Sequence, residues 1–310
     1  MSVIFAAVIL LLYMSDSSYF EESLKICLSR RREYIGKNNL EAYRLVHLGE
    51  HEVPVAIDIY AGNAVVHVFD VIDSETVLGL EKAIRAVVPV TDVFYKNRTK
   101  KEIHLPVSAK KDVLVHEYGA AFYINLSDYL DVGLFLDHRE TRKWIASLSK
   151  GKVVLNTFAY TGSFSVHSAL AGAEKTYSVD LSRTYCEWIK KNLELNGLTP
   201  EKNWVYKMDT LEFFKYAKRK NLTFDIIIID PPTFSKNKGE HFSVQKDHPA
   251  LINAALDVLS KDGLIMFSNN FTNFEMSENK LSGCKIEERE DLVAPDFPDV
   301  APHRCFIIRK

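Results

Sequence analysis

The strongest constraint on the fold is a run of four isoleucines, Ile226–Ile229, that leads directly into Asp230 and two prolines. Consecutive β-branched apolar residues are typical of a central parallel strand buried on both faces, because a half-exposed strand alternates instead. Pro231 and Pro232 have fixed φ angles and no backbone N–H, so they end the strand in a stiff turn. In open α/β sheets, ligands bind just beyond such strand ends. The segment therefore predicts a site for a flat, polar ligand, such as a base, at Asp230 and Phe234.

The order of predicted elements divides the chain near residue 128. Residues 1–128 combine an amphipathic helix with short β-like runs, including a hairpin signal at Gly62-Asn63, and indicate a small α+β domain. Residues 129–310 repeat the order strand, turn and helix. This order predicts an α/β fold with a mostly parallel, doubly wound, Rossmann-like sheet. Two stretches of the tail are expected to add antiparallel edge strands: Lys285–Glu290 and Cys305–Arg309.

Composition narrows the class of protein. The 310 residues are 47% hydrophobic and 26% charged, which is ordinary for a globular chain long enough for two domains. The net charge of −2 gives no overall positive field, so any polyanion must be bound by a local basic patch. The four cysteines are far apart and form no C-x-x-C or other metal-ligand spacing, so we expect reduced thiols and no metal site.

The apolar stretch Val3–Tyr13 bears on location in the cell. It is too short to span a bilayer, and no Lys or Arg precedes it as in a signal peptide. We therefore expect a cytoplasmic protein with no membrane partner.

Three further strand ends supply candidate ligand contacts. Gly162 follows the first α/β strand and would let the backbone approach a ligand near the start of the next helix. Asp180 ends the second strand, where a carboxylate can accept from two ribose hydroxyls; the alternative is a helix cap for Ser182 onward. Asp209 ends the third strand and suits an adenine amino group or a helix cap about equally. With only one glycine in the loop, a pyrophosphate is disfavoured, so S-adenosylmethionine fits better than a nicotinamide dinucleotide.

Several separate strings carry a resemblance to a known family. They are Asn125–Arg139, Thr157–Ser163, Val179–Tyr185, Asn192–Leu198, Asp230–Ser235, Val244–His248 and Met266–Asn270. Through them the chain resembles class I methyltransferases of the large-subunit rRNA type, over nearly its full length. It is most similar to the C-terminal, guanine-N7 half of the bifunctional bacterial 23S rRNA guanine methyltransferase. The 310 residues do not include the fused second half and its RNA-binding module, so we expect residues 1–128 or a separate partner protein to help hold the RNA.

The resemblance implies roles for the candidate residues. The S-adenosylmethionine site would comprise Arg139, Asn156, Phe158, Tyr160, Thr161, Gly162, Asp180, Leu181, Asp209 and Asp230. Within that set, Asp180 would hold the ribose and Asp209 the adenine. The catalytic residues Asp230, Pro232 and Phe234 would face the methyl group and the target base. Arg139 could contact either the methionine carboxylate or an RNA phosphate.

The atom that is methylated depends on the chemistry that these residues allow. Carbon-5 of cytosine needs a thiolate adduct, but the strand before Asn269-Asn270 ends without the cysteine that related cytosine enzymes have there. An exocyclic amine commonly meets an Asn/Asp-Pro-Pro-Tyr turn, and here Thr233 precedes the aromatic Phe234. Guanine N7 has a free lone pair, so positioning alone can supply about 7–11 kcal/mol. We therefore predict methylation of guanine N7 in 23S rRNA; the alternatives are cytosine C5, an exocyclic amine, or a non-catalytic role in ribosome assembly.

Two basic clusters are the predicted RNA-binding residues. One consists of Lys96, Arg98, Lys100 and Lys101, and the other, beside the Asp-Pro-Pro turn, of Lys236 and Lys238. Lysine and arginine suit phosphate contacts, although most charge runs are simply solvated faces.

Overall fold

The structure is a computed structural model and describes residues 17–237, 240–281, 283–298 and 301–310. The stretch Val3–Tyr13 and the predicted phosphate ligand Lys238 lie outside these ranges. Within the described part of the chain, no helix combines the length and the apolar composition needed to cross a membrane.

The chain forms two compact units. The first comprises the chain up to Gly119, together with Tyr123–Leu136 and Pro295–Pro298. The second comprises Ala120–Phe122, Asp137–Ala294 and Asp299–Lys310. The division therefore falls in residues 120–136 rather than at one peptide bond, and a short tail segment belongs to the first unit.

The first unit is built on a four-stranded sheet in the order β1-β2-β3-β4, in which the β3–β4 pair is parallel and the other two pairs are antiparallel. The central strands β2 and β3 are buried along their whole length, and helices α1 and α2 pack against each other. The Gly62-Asn63 hairpin prediction is confirmed, since β2 and β3 pair across that turn. The elements are α1 (Ser17–Asn38), β1 (Ala42–Val46), β2 (Val55–Tyr60), β3 (Asn63–Val68), α2 (Ser74–Val87) and β4 (Val93–Asn97). A hairpin of β5 (Asp112–Glu117) and β6 (Ala120–Asn125) follows, and the boundary between the units runs through it.

The second unit contains a seven-stranded sheet in the order β14-β15-β13-β10-β7-β8-β9. The five strands from β13 to β9 are parallel, and β15 and β14 add an antiparallel edge. The predicted α/β fold with a mostly parallel sheet and antiparallel tail strands is confirmed. The elements are α3 (Arg139–Leu148), β7 (Val153–Thr157), α4 (Ser163–Leu170), β8 (Lys175–Asp180), α5 (Arg183–Leu195), β9 (Asn203–Lys207), α6 (Thr210–Arg219), β10 (Phe224–Ile229), β11 (Phe234–Asn237), β12 (Glu240–Ser243), α7 (Val244–Val258), β13 (Leu259–Asn269), β14 (Lys285–Glu288) and β15 (Arg304–Arg309).

The isoleucine run forms the middle of this sheet, as predicted. Strand β10 lies between β7 and β13, and all four isoleucines are at most 2% exposed. Ile227 and Ile229 belong to the hydrophobic core on one face of the sheet. Ile226 and Ile228 belong to a separate core on the other face. The run is continuous because both faces of the strand are covered, so neither set of alternate positions meets water.

Candidate active site

The candidate site lies where the strand order of the second unit reverses. From β7 the chain continues to β8 and β9 on one side, and then returns to β10 and β13 on the other. Adjacent loops that leave β7 and β10 in opposite directions open a crevice at the carboxyl ends of the strands, which is where ligands bind in this class of sheet.

The loop after β7 has an unusual backbone. Phe158, Tyr160 and Gly162 have positive φ angles of 52°, 52° and 80°. Left-handed backbone is uncommon for bulky side chains, and such strain, of order 1–3 kcal/mol per residue, clusters at ligand sites. The loop is tied to the next strand because Ala159 N donates to the Val179 carbonyl and Tyr160 N to Asp180 Oδ2, at 3.1 and 2.9 Å. The sequence did not reveal these left-handed aromatic residues, and they are a further reason to expect ligand contacts at this loop.

Gly162 and two further predicted residues, Asn156 in β7 and Thr161 in the loop, have mainly supporting contacts. A Cβ added to Gly162 would lie 2.9 Å from Ile189 Cγ2, so glycine permits helix α5 to pack closely here as well as the positive φ. Asn156 is buried and donates through Nδ2 to Ser165 Oγ. Thr161 is also buried, and its carbonyl accepts from Asn192 Nδ2. Their contacts with a cofactor remain predictions.

Asp180 and Leu181 follow β8 at the same rim. Asp180 Oδ2 accepts from Tyr160 N, and Oδ1 accepts from Ser182 N at 2.8 Å. Burial raises the pKa of Asp180, although the backbone N–H groups of Ser182 and Tyr160 oppose that shift. Ser182 is the N-cap of α5, and its hydroxyl accepts from Tyr185 N. The alternative prediction, that Asp180 caps this helix, is therefore wrong. Each carboxylate oxygen keeps a lone pair for a ribose hydroxyl, and Leu181, 48% exposed, offers an apolar face beside it.

Asp209 follows β9 and caps helix α6. Its Oδ1 accepts from Leu211 N and Glu212 N, at 2.9 and 3.2 Å. Both contacts use Oδ1, so the capping role is compatible with the predicted contact between this carboxylate and an adenine amino group. The structure therefore assigns the capping role to Asp209 and leaves the adenine contact as a prediction.

The Asp-Pro-Pro turn follows β10. The Asp230 side chain is 28% exposed, and Ser268 Oγ donates to its Oδ1 at 2.6 Å. Pro231 is buried, whereas Pro232 is exposed and Phe234 is 67% exposed at the start of β11. The sequence does not predict the hairpin of β11 and β12 that carries Phe234, because its strands are only four residues long. The rigid turn thus presents a carboxylate and an open aromatic ring on one short segment.

A buried cluster behind Asp230 is also absent from the sequence-based predictions. His138 Nε2 lies 3.4 Å from Asp230 Oδ2, and the His138 ring stacks on His303 with centroids 3.8 Å apart and planes at 19°. His303 Nδ1 contacts Asp137 Oδ2 at 3.1 Å. Asp137 and His138 lie in one of the strings that carry the family resemblance, but His303 belongs to the tail, where no pattern marks it.

These residues resemble a metal site in spacing but not in orientation. Ligand-type atoms of Asp137, His138 and His303 all lie within 4.8 Å of one another. The two imidazole rings are nearly parallel, so their in-plane lone pairs run side by side, whereas ligands of one ion must converge on it. Each ring contacts a carboxylate through one nitrogen, which gives two stacked imidazole–carboxylate pairs. Among the described residues, His138 Nδ1 and His303 Nε2 have no hydrogen-bond partner and are buried.

The predicted basic residues have different surroundings. Arg139, the first residue of α3, has no exposed surface, so contact with a carboxylate or a phosphate would require the site to open around it. Lys96 is also buried; its Nζ donates to the Ser127 and Tyr129 carbonyls, and burial lowers its pKa. Lys96 is therefore badly placed for a phosphate.

The remaining basic residues stay candidates for phosphate contacts. Arg98 pairs with Asp131 at 2.7 Å and is partly exposed. Lys100 and Lys101 are exposed, with Lys101 paired to Asp70. Lys236 lies in β11, the strand that Phe234 begins.

The donor set fits S-adenosylmethionine. The carboxylate of Asp180 and the exposed Leu181 suit a ribose and a neighbouring adenine, and the strained loop from Phe158 to Gly162 brings backbone close to them. The residues that would hold the cofactor come from the ends of β7, β8, β9 and β10, which meet at one edge of the sheet. The cofactor, when bound, supplies a methyl group activated on a sulfonium.

Comparison with known proteins agrees with this assignment. Ribosomal RNA large subunit methyltransferase K of Neisseria meningitidis serogroup B is 33% identical over 96% of this chain and 88% of its own. The crystal structure of SMU.776 complexed with S-adenosylhomocysteine has a TM-score of 0.82 and 30% identity, covering 95% of this chain and 82% of its own. A Streptococcus mutans structure assigned to the S-adenosylmethionine-dependent methyltransferases has a TM-score of 0.78 and 28% identity with the same coverage. Residues 105–307 match the S-adenosylmethionine-dependent methyltransferase family, and the chain belongs to that family.

Proposed function

We propose that this protein transfers the methyl group of S-adenosylmethionine to N7 of a guanine in large-subunit ribosomal RNA. The RNA class rests on the similarity to a ribosomal RNA large subunit methyltransferase over 96% of the chain. The atom rests on the chemistry of the candidate site, which offers a positioned carboxylate and an aromatic ring rather than a nucleophile.

The observation that carries the proposal is the ionised, partly exposed carboxylate of Asp230 at the end of the central strand. Burial alone would raise its pKa, but His138 and the Ser268 hydroxyl outweigh burial and hold that pKa below its ordinary value. When a ring nitrogen of guanine is methylated, the ring gains the positive charge. A carboxylate that is already ionised and oriented stabilises such charge without reorganising.

The cysteines argue against carbon-5 chemistry, because a thiolate is the nucleophile that such a step needs. Burial raises the pKa of each of the four thiols, Cys27, Cys186, Cys284 and Cys305. Cys305 pairs with Ser268 across the β13–β15 ladder, close to Asp230, but it is only 1% exposed. A neutral, buried thiol is a poor nucleophile.

Phe234 is the proposed contact for the target base. Its ring is 67% exposed and rests edge-on against Phe271, with centroids 6.1 Å apart. A base that has left its stack in the RNA can pack on such a ring, and this stacking contributes about 1–3 kcal/mol. Phe234 follows Asp230 by only four residues. A base stacked on the side of the ring that Phe271 leaves uncovered would therefore be held near the Asp230 turn, where its own lone pair can attack the methyl group.

The proposal is tested by methylating large-subunit rRNA with the purified protein and identifying the product nucleoside by mass spectrometry against isomeric standards. We expect 7-methylguanosine. Asp230→Asn should lower the rate by roughly 10²–10³-fold, as loss of one preorganised electrostatic group does in other enzymes. Asp257→Asn, which alters an exposed carboxylate paired with Lys218, is the matched control and should leave the rate unchanged.

The product distinguishes the alternatives. A 5-methylcytidine product, or methylation of an exocyclic amine, would show that the acceptor atom is wrong while the rRNA methyltransferase activity stands. Cofactor binding without any methylated product would favour a non-catalytic assembly role.

A further inference from the structure

We propose that His138 is a positioning residue that fixes the orientation and the charge of the Asp230 carboxylate. We call the contacts of His138 and Ser268 with the Asp230 carboxylate the clasp. The clasp itself does not depend on the proposed function, but its effect on catalysis rests on that function. Ser268 Oγ donates to Oδ1 at 2.6 Å, and His138 Nε2 lies near Oδ2 at 3.4 Å. Because both oxygens are engaged, the carboxylate is held in one orientation, while 28% of the side chain stays exposed.

His138 is itself held rigidly. It is 4% exposed and is the residue that precedes the first turn of α3, where its carbonyl accepts from Arg142 N. One face of its ring stacks on His303, and Phe164 contacts it edge-on with centroids 5.6 Å apart. A ring fixed on these sides can hold a partner in a set position, whereas a mobile surface histidine could not.

The charges favour a proton on His138 rather than on its neighbour. Burial alone would lower the pKa of His138, but the carboxylates of Asp230 and, to a smaller extent, Asp137 together outweigh burial and raise it. Burial and the adjacent His138 lower the pKa of His303, despite its contact with Asp137. Two stacked imidazoles do not both ionise readily, so the proton stays on the ring that faces the site and keeps Asp230 ionised.

The charged and titratable groups that face His138 come from four segments. They are Asp230 after β10, Asp137 in the preceding peptide, Arg142 in α3, and His303 just before β15. Asp230 is the group that raises the pKa of His138 most, so its charge should dominate the titration of the ring.

The clasp is tested without catalysis by NMR titration of the histidine rings, with the His138 signal assigned through its loss in His138→Gln. In the wild-type protein, we expect the pKa of His138 to lie above that of free histidine. In Asp230→Asn it should fall, whereas Asp257→Asn should leave it unchanged. A His138 pKa that does not respond to Asp230→Asn would overturn the inference.

The catalytic consequence is tested by the kinetics of His138→Gln, which keeps a side-chain N–H donor but cannot carry a charge. We expect kcat to fall roughly 10- to 100-fold, because the amide of glutamine can still donate to Asp230 but no longer pairs its carboxylate with a positive charge. The KM and the calorimetric affinity for S-adenosylmethionine should stay within about threefold, because His138 is predicted to act only through Asp230.

The pH profile separates positioning from a merely structural role. The wild-type rate should decline as pH rises through the pKa of His138, since the ring then loses its charge, and this limb should be absent in His138→Gln. An unchanged limb, or a parallel loss of cofactor affinity and kcat, would contradict the inference. Should the wild-type protein make no 7-methylguanosine while the NMR coupling persists, the proposed function fails and the clasp stands.

Discussion

Asp180 is the residue on which cofactor affinity should depend most. Its two oxygens already accept from Tyr160 N and Ser182 N, which fixes the carboxylate for a pair of ribose hydroxyls. A hydrogen bond to a charged group contributes about 1.5–3 kcal/mol, so Asp180→Ala should weaken S-adenosylmethionine binding by at least roughly 10- to 100-fold. Isothermal calorimetry measures this loss, and Asp262→Asn, an exposed carboxylate of the same unit, is the control. Unchanged affinity in Asp180→Ala would remove Asp180 from the cofactor site.

His67 should make stability depend on pH. It is buried against Asp58, with Nε2 3.0 Å from Oδ2, while its Nδ1 accepts from Arg98 Nε. Burial lowers the pKa of His67 from its ordinary value of 6.5, so the folded state holds the ring neutral. Its contribution to stability is therefore fully present above pH 6.5 and is lost progressively as pH falls from 6.5 through the lower pKa of the folded state, because the unfolded chain binds the proton first.

His67→Gln should reduce this dependence, since glutamine can donate to Asp58 and accept from Arg98 without titrating. Urea unfolding followed by circular dichroism between pH 5 and 8 measures the effect. His104→Gln, which changes an exposed histidine of the same unit, is the control. Equal slopes of midpoint against pH in the wild type and His67→Gln would contradict the prediction.

Among the elements, the start of α4 depends on Gly162 for two reasons. It has a φ of 80°, and a Cβ there would lie 2.9 Å from Ile189 Cγ2 in α5. Gly151 has a similar φ of 70°, but a Cβ added there would have no atom within 4 Å. Gly151→Ala therefore measures the cost of backbone strain alone. Gly162→Ala should therefore destabilise the protein by about 1–3 kcal/mol more than Gly151→Ala, because overpacking adds to strain. Urea unfolding of both variants gives the difference, and equal destabilisation would mean that Ile189 relaxes without cost.

Strands could be predicted where their pattern is local. The isoleucine run of β10 needs only its own four residues to indicate burial on both faces, and the cores on the two faces of the sheet confirm it. The pairing of β11 with β12 could not be predicted, because strands of four residues are too short to show a clear alternating pattern. The left-handed backbone of Phe158 and Tyr160 was also hidden, since no residue type there demands it.

At the scale of the molecule, features assembled from distant segments escape the sequence. The clasp around Asp230 and the ring stacked behind it draw on His138, Ser268 and His303, which lie on three separate parts of the chain. The basic run that contains Lys96 predicts a phosphate ligand there, but carbonyls from residues 127–129 cover its ammonium group. Local patterns thus indicate candidate residues, whereas tertiary structure decides which charged side chains remain exposed.

Binding of RNA by a chain of net charge −2 has to rely on local patches, and Lys100 and Lys101 are the exposed members of the first cluster. Lys101 is paired with Asp70, but both side chains are more than half exposed, and such pairs are weak enough for a phosphate to compete. Replacing both lysines by alanine should weaken rRNA binding and lower the slope of log affinity against log salt by about 0.7 for each single-strand phosphate that is no longer neutralised. Fluorescence anisotropy across a salt series measures this slope. The control is the double variant Lys190→Ala, Lys191→Ala, which changes two exposed lysines on α5. If the salt slope changes only in this control, the prediction is wrong and the RNA contacts helix α5 instead.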